Sequence, residues 1–161
     1  MKLELIAFTQ RGNDLARHLA ESLSAHGHQA ACTRDGLKAE EWAARAFSRS
    51  DGLIFVGATG IAVRAIAPHL RHKSTDPAVV VVDEGGQFVI PILSGHLGGA
   101  NDLAREMAAL IGAVPVITTA TDVNGVFAVD QWARRQGLLV CNPERILSVS
   151  SRLLAGETCA L

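Results

Sequence analysis

The stretch PILSGHLGGANDLA, which begins at Pro91, combines residue types that can do chemistry. A loop histidine such as His96 can act as a general base, a general acid, a hydrogen-bond donor or a metal ligand, or it can be a turn residue bonded to backbone. Asp102 can cap the helix that follows, or it can orient His96 or a substrate hydroxyl. We predict a functional role for His96 and take His96 and Asp102 as the candidate catalytic pair.

The residues around His96 are suited to binding a ligand. Glycines let a ligand approach the backbone closely, and the free N–H groups at the start of a helix favour an anion. Asn101 can equally serve as a helix cap. The predicted substrate-binding residues of this stretch are Ser94, Gly95, Gly98, Gly99 and Asn101.

A second glycine-containing loop, GATGIAVR, also opens a helix and contributes Thr59, Gly60 and Arg64 as predicted substrate-binding residues. The loop lacks the Gly-Lys-Ser/Thr ending of a P-loop, and its glycines do not form a GxGxxG pattern. A carboxylate or another anion therefore fits this loop as well as a nucleotide does. Arg64 stands in an otherwise apolar helix, where it either contacts that anion or belongs to a solvated face.

The third candidate loop is TTATDVNG, from which Thr119 and Asp122 are predicted to bind substrate. A turn rich in Ser and Thr is the competing interpretation, and the residues alone do not decide between the two. No third ligand accompanies His69 and His72, and the cysteines form no CxxC pair, so we predict no metal site.

Short apolar runs that alternate with amphipathic helices predict parallel βαβ units, and hence a three-layer αβα sandwich with a mainly parallel sheet. Two of the strands are predicted to be joined by a turn around Glu84, Gly85 and Gly86, and AVPVITT is predicted to be a buried strand. In a parallel sheet the carboxyl ends of the strands share one edge. We therefore expect the loops that start at Gly57, Ser94 and Thr118 to enclose one cleft.

Several boundaries are also predicted. Asn13 is the expected cap of the first helix and Gly27 its stop. A change of pattern after Thr121 divides the chain into an α/β domain, residues 1–122, and a linker with the start of a second unit, residues 123–161. In that second part, LLVCN is a predicted strand, and ETCAL is the predicted start of another.

Bulk composition excludes several classes of protein. A net charge of −1 does not favour binding to nucleic acid, and the apolar runs are too short to span a bilayer. The N-terminus lacks the pattern of a signal peptide, and the odd, scattered cysteines argue against a disulfide scaffold. We expect a cytoplasmic protein.

Taken together, GIAVR, VVDEGG, LSGHLGGAN and TTATDVNG closely resemble the CbiG family, the cobalt-precorrin-5A hydrolases of anaerobic cobalamin biosynthesis. The resemblance covers the family's N-terminal domain and enters its central region. It implies an enzyme that opens a ring lactone of cobalt-precorrin-5A with water and releases acetaldehyde. It implies no separate cofactor, because the substrate carries the cobalt.

The resemblance also implies a further C-terminal domain with its own glycine-rich motif, which these 161 residues do not contain. That domain is an expected partner, in cis or in trans, and a homodimer is a further possibility. Two other functions compete with hydrolysis by this chain. One is a non-catalytic corrinoid-binding domain that needs the C-terminal domain for chemistry, and the other is a nucleotide-binding or phosphosugar-binding α/β domain.

Overall fold

The computed structural model describes residues 1–33, 36–72 and 74–158, and the chain forms two compact units, residues 1–116 and 117–161. The division between the units lies between Val116 and Ile117, ahead of the domain boundary expected after residue 122. The last three residues of the predicted strand ETCAL lie outside the described residues.

The first unit contains one six-stranded sheet in the order β2-β1-β3-β4-β5-β6. Strands β1 to β4 run parallel, β5 runs antiparallel to β4, and β6 runs parallel to β5. The strands are β1 (Lys2–Ala7), β2 (Gln29–Cys32), β3 (Gly52–Val56), β4 (Ala78–Val82), β5 (Phe88–Leu93) and β6 (Val114–Pro115). Contrary to the prediction of a buried strand, β6 is two residues long and exposed, because only the start of β5 pairs with it.

Helices cover both faces of this sheet, which confirms the predicted three-layer sandwich. They are α1 (Gln10–Ala25), α2 (Ala39–Ala46), α3 (Thr59–Ile66) and α4 (Ala100–Ile111). Successive strand residues point to opposite faces, so Leu53 and Phe55 pack in the cluster beneath α2 and α3. Trp42 of α2 meets Phe55 edge to face, with ring centroids 4.9 Å apart. On the other face, α1 and α4 lie side by side, with His28 Nε2 3.1 Å from Glu106 Oε2.

The first helix begins earlier than expected. Its N-cap is Thr9, whose hydroxyl accepts a hydrogen bond from the Gly12 N–H at 3.0 Å, and the predicted cap Asn13 lies inside the first turn. A hydroxyl in extended backbone before the helix satisfies an N–H group that would otherwise lack a partner, and Thr9 holds that position. The predicted stop at Gly27 is confirmed by its φ of +88°.

The Asp83 carboxylate organises the hairpin between β4 and β5. It accepts hydrogen bonds from the N–H groups of Gly85 at 3.0 Å, Gln87 at 2.8 Å and Phe88 at 2.6 Å. Gly86 takes a φ of +69° at the tip, where a side chain would be strained. The predicted turn is therefore confirmed, and it reverses the direction of β5.

The β5 strand carries a bulge between its pairings with Val79 and Val80, since Leu93 faces Val79 and Pro91 faces Val80. Proline lacks an N–H group, so it is tolerated in a strand where no neighbouring strand needs a hydrogen bond from that position. The β6 pairing covers only Phe88 and Val89, so Pro91 lies beyond it.

The second unit is helical within the part of the chain that the structure describes. It contains α5 (Ala120–Val123), α6 (Val129–Arg135), a 3₁₀ turn (Pro143–Arg145) and α7 (Ile146–Leu154). The turn signal at Asn124 is confirmed by the φ of +63° at Gly125. The strand predicted for residues 138–142 is wrong: the segment has no regular structure, and Leu139 is 88% exposed. A short apolar run needs a strand to pair with, and the described part of this unit offers none.

Glu4 is a buried acid in the middle of β1. Arg49 donates to both of its carboxylate oxygens, at 2.8 and 2.7 Å, and the Ser50 hydroxyl donates at 2.6 Å. The bond from Arg49 holds the pKa of the Glu4 carboxyl below its ordinary value, although burial acts in the opposite direction. The cluster connects the turn after α2 to strand β1.

The lowered pKa predicts how Glu4 contributes to stability at different pH. Its contribution is fully present above the unfolded-state pKa, about 4.3 for glutamate, and is lost as pH falls through the lower folded-state pKa. Glu4→Gln should therefore reduce the free energy of unfolding at pH 7, and the gap to wild type should close in acid. Urea titrations between pH 7 and pH 3 measure this difference in the free energy of unfolding. Glu21→Gln, which changes an exposed glutamate, is the control. A gap independent of pH would contradict the assignment.

Asp83→Ala tests the hairpin. Loss of three acceptor contacts should lower the free energy of unfolding by about 1–3 kcal/mol, as for removal of a charged hydrogen-bond acceptor. Asp83→Asn keeps one acceptor oxygen and should lose less. Chemical denaturation gives both values, and wild-type stability in the alanine variant would show that other contacts hold the turn.

Candidate functional site

The two glycine-containing loops of the first unit lie on opposite edges of the sheet. The threonine loop, residues 57–60, follows β3, and its Gly57 N–H bonds Val82 O at 2.8 Å, beside the carboxyl end of β4. The histidine loop, residues 94–99, follows β5, whose last residue Leu93 pairs with Val79 near the start of β4. The length of β4 separates them, about 17 Å for five strand residues.

The expectation of one shared edge is therefore wrong for these two loops. Its premise was that the strands before them run in the same direction, and the hairpin at Asp83 turns β5 around. We name the two sides by β4: the carboxyl edge holds the threonine loop, and the amino edge holds the histidine loop. The loop that starts at Thr118 belongs to the second unit, and its place beside either edge stays a prediction.

On the amino edge, Ser94 fixes the start of the histidine loop. Among the described residues it is the one non-glycine residue with a positive φ, at +55°. Its hydroxyl donates to Asp76 O at 2.9 Å, and its carbonyl accepts the Ala100 N–H at 3.1 Å. Asp76 is itself buried, and its carboxylate accepts the Arg71 N–H. The Ser94 hydroxyl thus has a role in shaping the loop.

Close packing accounts for two glycines of this loop. A Cβ on Gly98 would lie 2.4 Å from the Ser94 Cβ, and a Cβ on Gly95 would lie 2.8 Å from Asn101 Oδ1. Asn101 is only 1% exposed. These residues must be small or buried for the loop to close on itself, whether or not a ligand binds.

The predicted catalytic pair lies at the end of the same loop. His96 is half-buried, and its carbonyl accepts the Gly99 N–H at 3.0 Å. Gly99, with a φ of +83°, is the N-cap of α4, so neither Asn101 nor Asp102 caps that helix. Asp102 lies in the first turn, 3.4 Å from Arg105 Nη1. The predicted contact from Asp102 to His96 stays a prediction.

On the carboxyl edge, Thr59 begins α3 and Arg64 lies just over one turn further on. The exposed Arg64 side chain folds back so that its Nη1 is 3.4 Å from Gly60 O. A Cβ on Gly60 would meet nothing closer than that guanidinium, at 3.5 Å. Gly60 therefore has room for a side chain, unlike Gly95 and Gly98 of the histidine loop.

Sequence reasoning missed an open cleft on the carboxyl edge. Its volume is about 430 Å³, and it lies above the end of β1, between the start of α1 and the segment before α2. Thr9, which lines it, also donates to Glu84 Oε1 at 2.6 Å. The available signal was Phe8 and Thr9, an aromatic and a hydroxyl directly after the first strand. The lining residues are Ala7, Phe8, Thr9, Gln10, Asn13, Gly36, Leu37 and Lys38.

In the second unit, the Thr119 hydroxyl donates to Asp122 Oδ2 at 2.5 Å, across the start of α5. Thr121, between them, is buried. The two residues predicted to bind substrate are thus brought together. Their contact is also what a polar turn produces, so both interpretations of this segment stay open.

The described residues contain neither a metal-binding cluster nor a membrane-spanning helix. Among residues 1–33, 36–72 and 74–158, no group of three or more His, Cys, Asp and Glu side chains could hold a metal ion. Within the same residues, no helix has the length and apolar character needed to cross a membrane.

A family model and two known proteins that match this chain all have names from cobalamin synthesis. The family model described as cobalamin synthesis G N-terminal matches residues 41–122. Cobalt-precorrin-5A hydrolase of Salmonella typhimurium is 60% identical over 91 residues, which are 56% of this chain and 26% of that protein. The Priestia megaterium protein of the same name is 47% identical over 115 residues, 71% of this chain and 31% of that protein.

The fold is shared with a solved structure as well. The crystal structure of a cobalamin biosynthesis protein G homolog from Sulfolobus solfataricus matches with a TM-score of 0.62 and 26% identity, covering 98% of this chain and 47% of that one. The chain thus spans between about a quarter and about a half of the length of these relatives.

Two alanine substitutions test the difference between the two loops. Gly60→Ala adds a methyl group in open space and reduces the freedom of the unfolded chain, so it should stabilise the protein by about 0.4–1 kcal/mol. Gly98→Ala forces the histidine loop apart and should destabilise it by about 1–3 kcal/mol. Thermal and urea unfolding measure both; effects of the same sign would contradict the packing described here.

Proposed function

Because this chain belongs to the cobalamin synthesis G N-terminal family, we propose that the protein acts as a cobalt-precorrin-5A hydrolase. The observation that carries the proposal is the 60% identity, over 91 residues, with the Salmonella typhimurium enzyme of that name. The substrate is cobalt-precorrin-5A, and the cobalt is part of that substrate. The reaction consumes water and yields cobalt-precorrin-5B and acetaldehyde.

His96 is the proposed general base. Water adds to the lactone carbonyl while the imidazole takes its proton, and the acyl–oxygen bond then breaks to leave a carboxylate and an alkoxide. The alkoxide collapses to acetaldehyde as the adjoining carbon–carbon bond breaks. The electron pair of that bond returns to the macrocycle, which takes up a proton. Asp102 is proposed to orient the imidazole or a substrate hydroxyl from the first turn of α4.

The oxyanion formed at the lactone carbonyl needs hydrogen-bond donors. The Gly99 N–H already bonds His96 O within the loop. We therefore propose the backbone N–H of Gly98 as the donor to the oxyanion. The tight packing of Gly98 against Ser94 holds that group in place. Ser94, Gly95 and Asn101 contribute to binding by shaping this loop.

A non-catalytic role is the second candidate. The chain spans only part of the length of the relatives that carry the enzyme's name, and a broad macrocycle needs a site that closes over it and excludes water. Mixing the 161-residue chain with cobalt-precorrin-5A and assaying acetaldehyde separates the candidates. Binding without acetaldehyde, with activity restored by a family C-terminal region added in cis or in trans, would favour the corrinoid-binding role.

The direct test of the proposed base is His96→Ala in a protein that turns the substrate over. Because His96 lies in a loop outside the buried core, the variant should fold, and kcat should fall about 100-fold or more. The exposed His18→Ala on α1 is the matched control and should keep wild-type turnover. Acetaldehyde release at the wild-type rate in His96→Ala would remove this residue from the mechanism.

A further inference from the structure

We propose that the cleft on the carboxyl edge is a second ligand site, which binds an organic carboxylate independently of the histidine loop. Its walls are Phe8, Thr9 and Gln10 from the end of β1 and the start of α1, and Leu37 and Lys38 from the segment before α2. A volume of about 430 Å³ is within the range of small-molecule sites. None of these residues belongs to the proposed hydrolytic site.

The topology of the sheet puts this cleft where α/β proteins bind ligands. From β1 the chain passes through α1 to β2 on one side, whereas β3 lies on the other side of β1. The connections α1 and α3 therefore leave the neighbouring strands β1 and β3 toward opposite faces, which opens a crevice at their carboxyl ends. The cleft lies beside this switch point, over the end of β1, and the Phe8 ring, 3.2 Å from a Cβ built on Gly57, separates it from the threonine loop.

The lining indicates the chemistry of the ligand. Phe8, which is 38% exposed, and the half-buried Leu37 offer apolar contact. Gln10 and Asn13 line the cleft with amide groups, of which Gln10 Nε2 donates to Asp14 Oδ1 at 3.2 Å, and the exposed Lys38 provides a cation at the rim. Glu84 also reaches this edge, where its negatively charged carboxylate accepts the Thr9 hydroxyl at 2.6 Å, so we place the carboxylate of the ligand at Lys38 rather than at Thr9. An apolar wall with polar groups and one cation at its rim is suited to a molecule with an apolar body and a carboxylate.

The start of α3 leaves room for such a ligand beside the cleft. Gly60 has no packing contact that requires a missing side chain, and an alanine there would favour the helix. Arg64, which folds back over the same turn, supplies a second cation on this edge. A glycine that stability does not require is suited to the close approach of a ligand to the backbone.

The ligand bound here cannot contact the histidine loop. The two loops lie on opposite edges, separated by about 17 Å along β4, with the filled core of the sheet between them. A carboxylate in this cleft thus leaves His96 accessible. Carboxylate binding in this cleft therefore does not depend on the hydrolytic role of the histidine loop.

Amide NMR spectra and calorimetry of the 161-residue chain test the proposal with three probes. Cobyrinic acid is a corrinoid with carboxylate side chains, cobinamide is its amidated counterpart, and glutarate is a small free carboxylate. Cobyrinic acid should shift the amides of residues 8–13, 36–38 and 57–64, and cobinamide should bind there at least 5-fold more weakly, since it lacks the charged acceptor. Shifts with glutarate as well would identify any small carboxylate as the ligand, and their absence would identify the corrinoid side chain.

Variants complete the test. Lys38→Ala should weaken cobyrinic acid binding about 5-fold or more, Lys38→Arg should restore most of it, and Lys2→Ala, a matched cation elsewhere on the unit, should change nothing. His96→Ala should leave this binding intact. No binding by any probe, equal binding of acid and amide, an unaffected Lys38→Ala, or shifts confined to residues 94–99 would each overturn the proposal. Acetaldehyde assays on the Lys38 variants report the hydrolytic role separately, and unchanged turnover is expected.

Discussion

The rest of this structure depends on the Asp83 carboxylate and the hairpin it holds. Three backbone N–H groups converge on its two oxygens, and the chain turns back at Gly86. Without that reversal, β5 would run parallel to β4, and the histidine loop would emerge beside the threonine loop. The hairpin thus decides which candidate residues can meet one ligand, although it lies in neither loop.

The sequence predicted the individual helices, strands and turns better than it predicted which loops lie on the same edge of the sheet. Alternating strands and helices indicated the sandwich, and the residues from Glu84 to Gly86 indicated the turn between β4 and β5. A tight turn between adjacent strands makes them antiparallel, so that turn was already inconsistent with one shared edge. The cap at Thr9 and the cleft beside it were missed because capping depends on where the helix begins, and a cleft depends on segments far apart in sequence.

The glycines of the two loops differ in how tightly their surroundings pack against them. In the histidine loop, Gly95 and Gly98 are packed so tightly that a methyl group would collide with Asn101 and Ser94. In the threonine loop, Gly60 has space around it. The residue types alone suggested ligand binding for all of them, since composition does not reveal which side of a glycine is filled. The structure assigns the first pair to loop closure and shows that the Gly60 position has room for a side chain.

The histidine and threonine loops lie too far apart to serve one ligand. Spin labels at Ala58→Cys and Leu97→Cys, in a chain whose native cysteines are replaced by serine, measure the distance between them by dipolar spectroscopy. We expect one population at about 17 Å or more, because five strand residues separate the loops. Addition of cobyrinic acid should leave that distance unchanged. A population near 10 Å, with or without the corrinoid, would place both loops around one cleft and show that the strand reversal does not separate them.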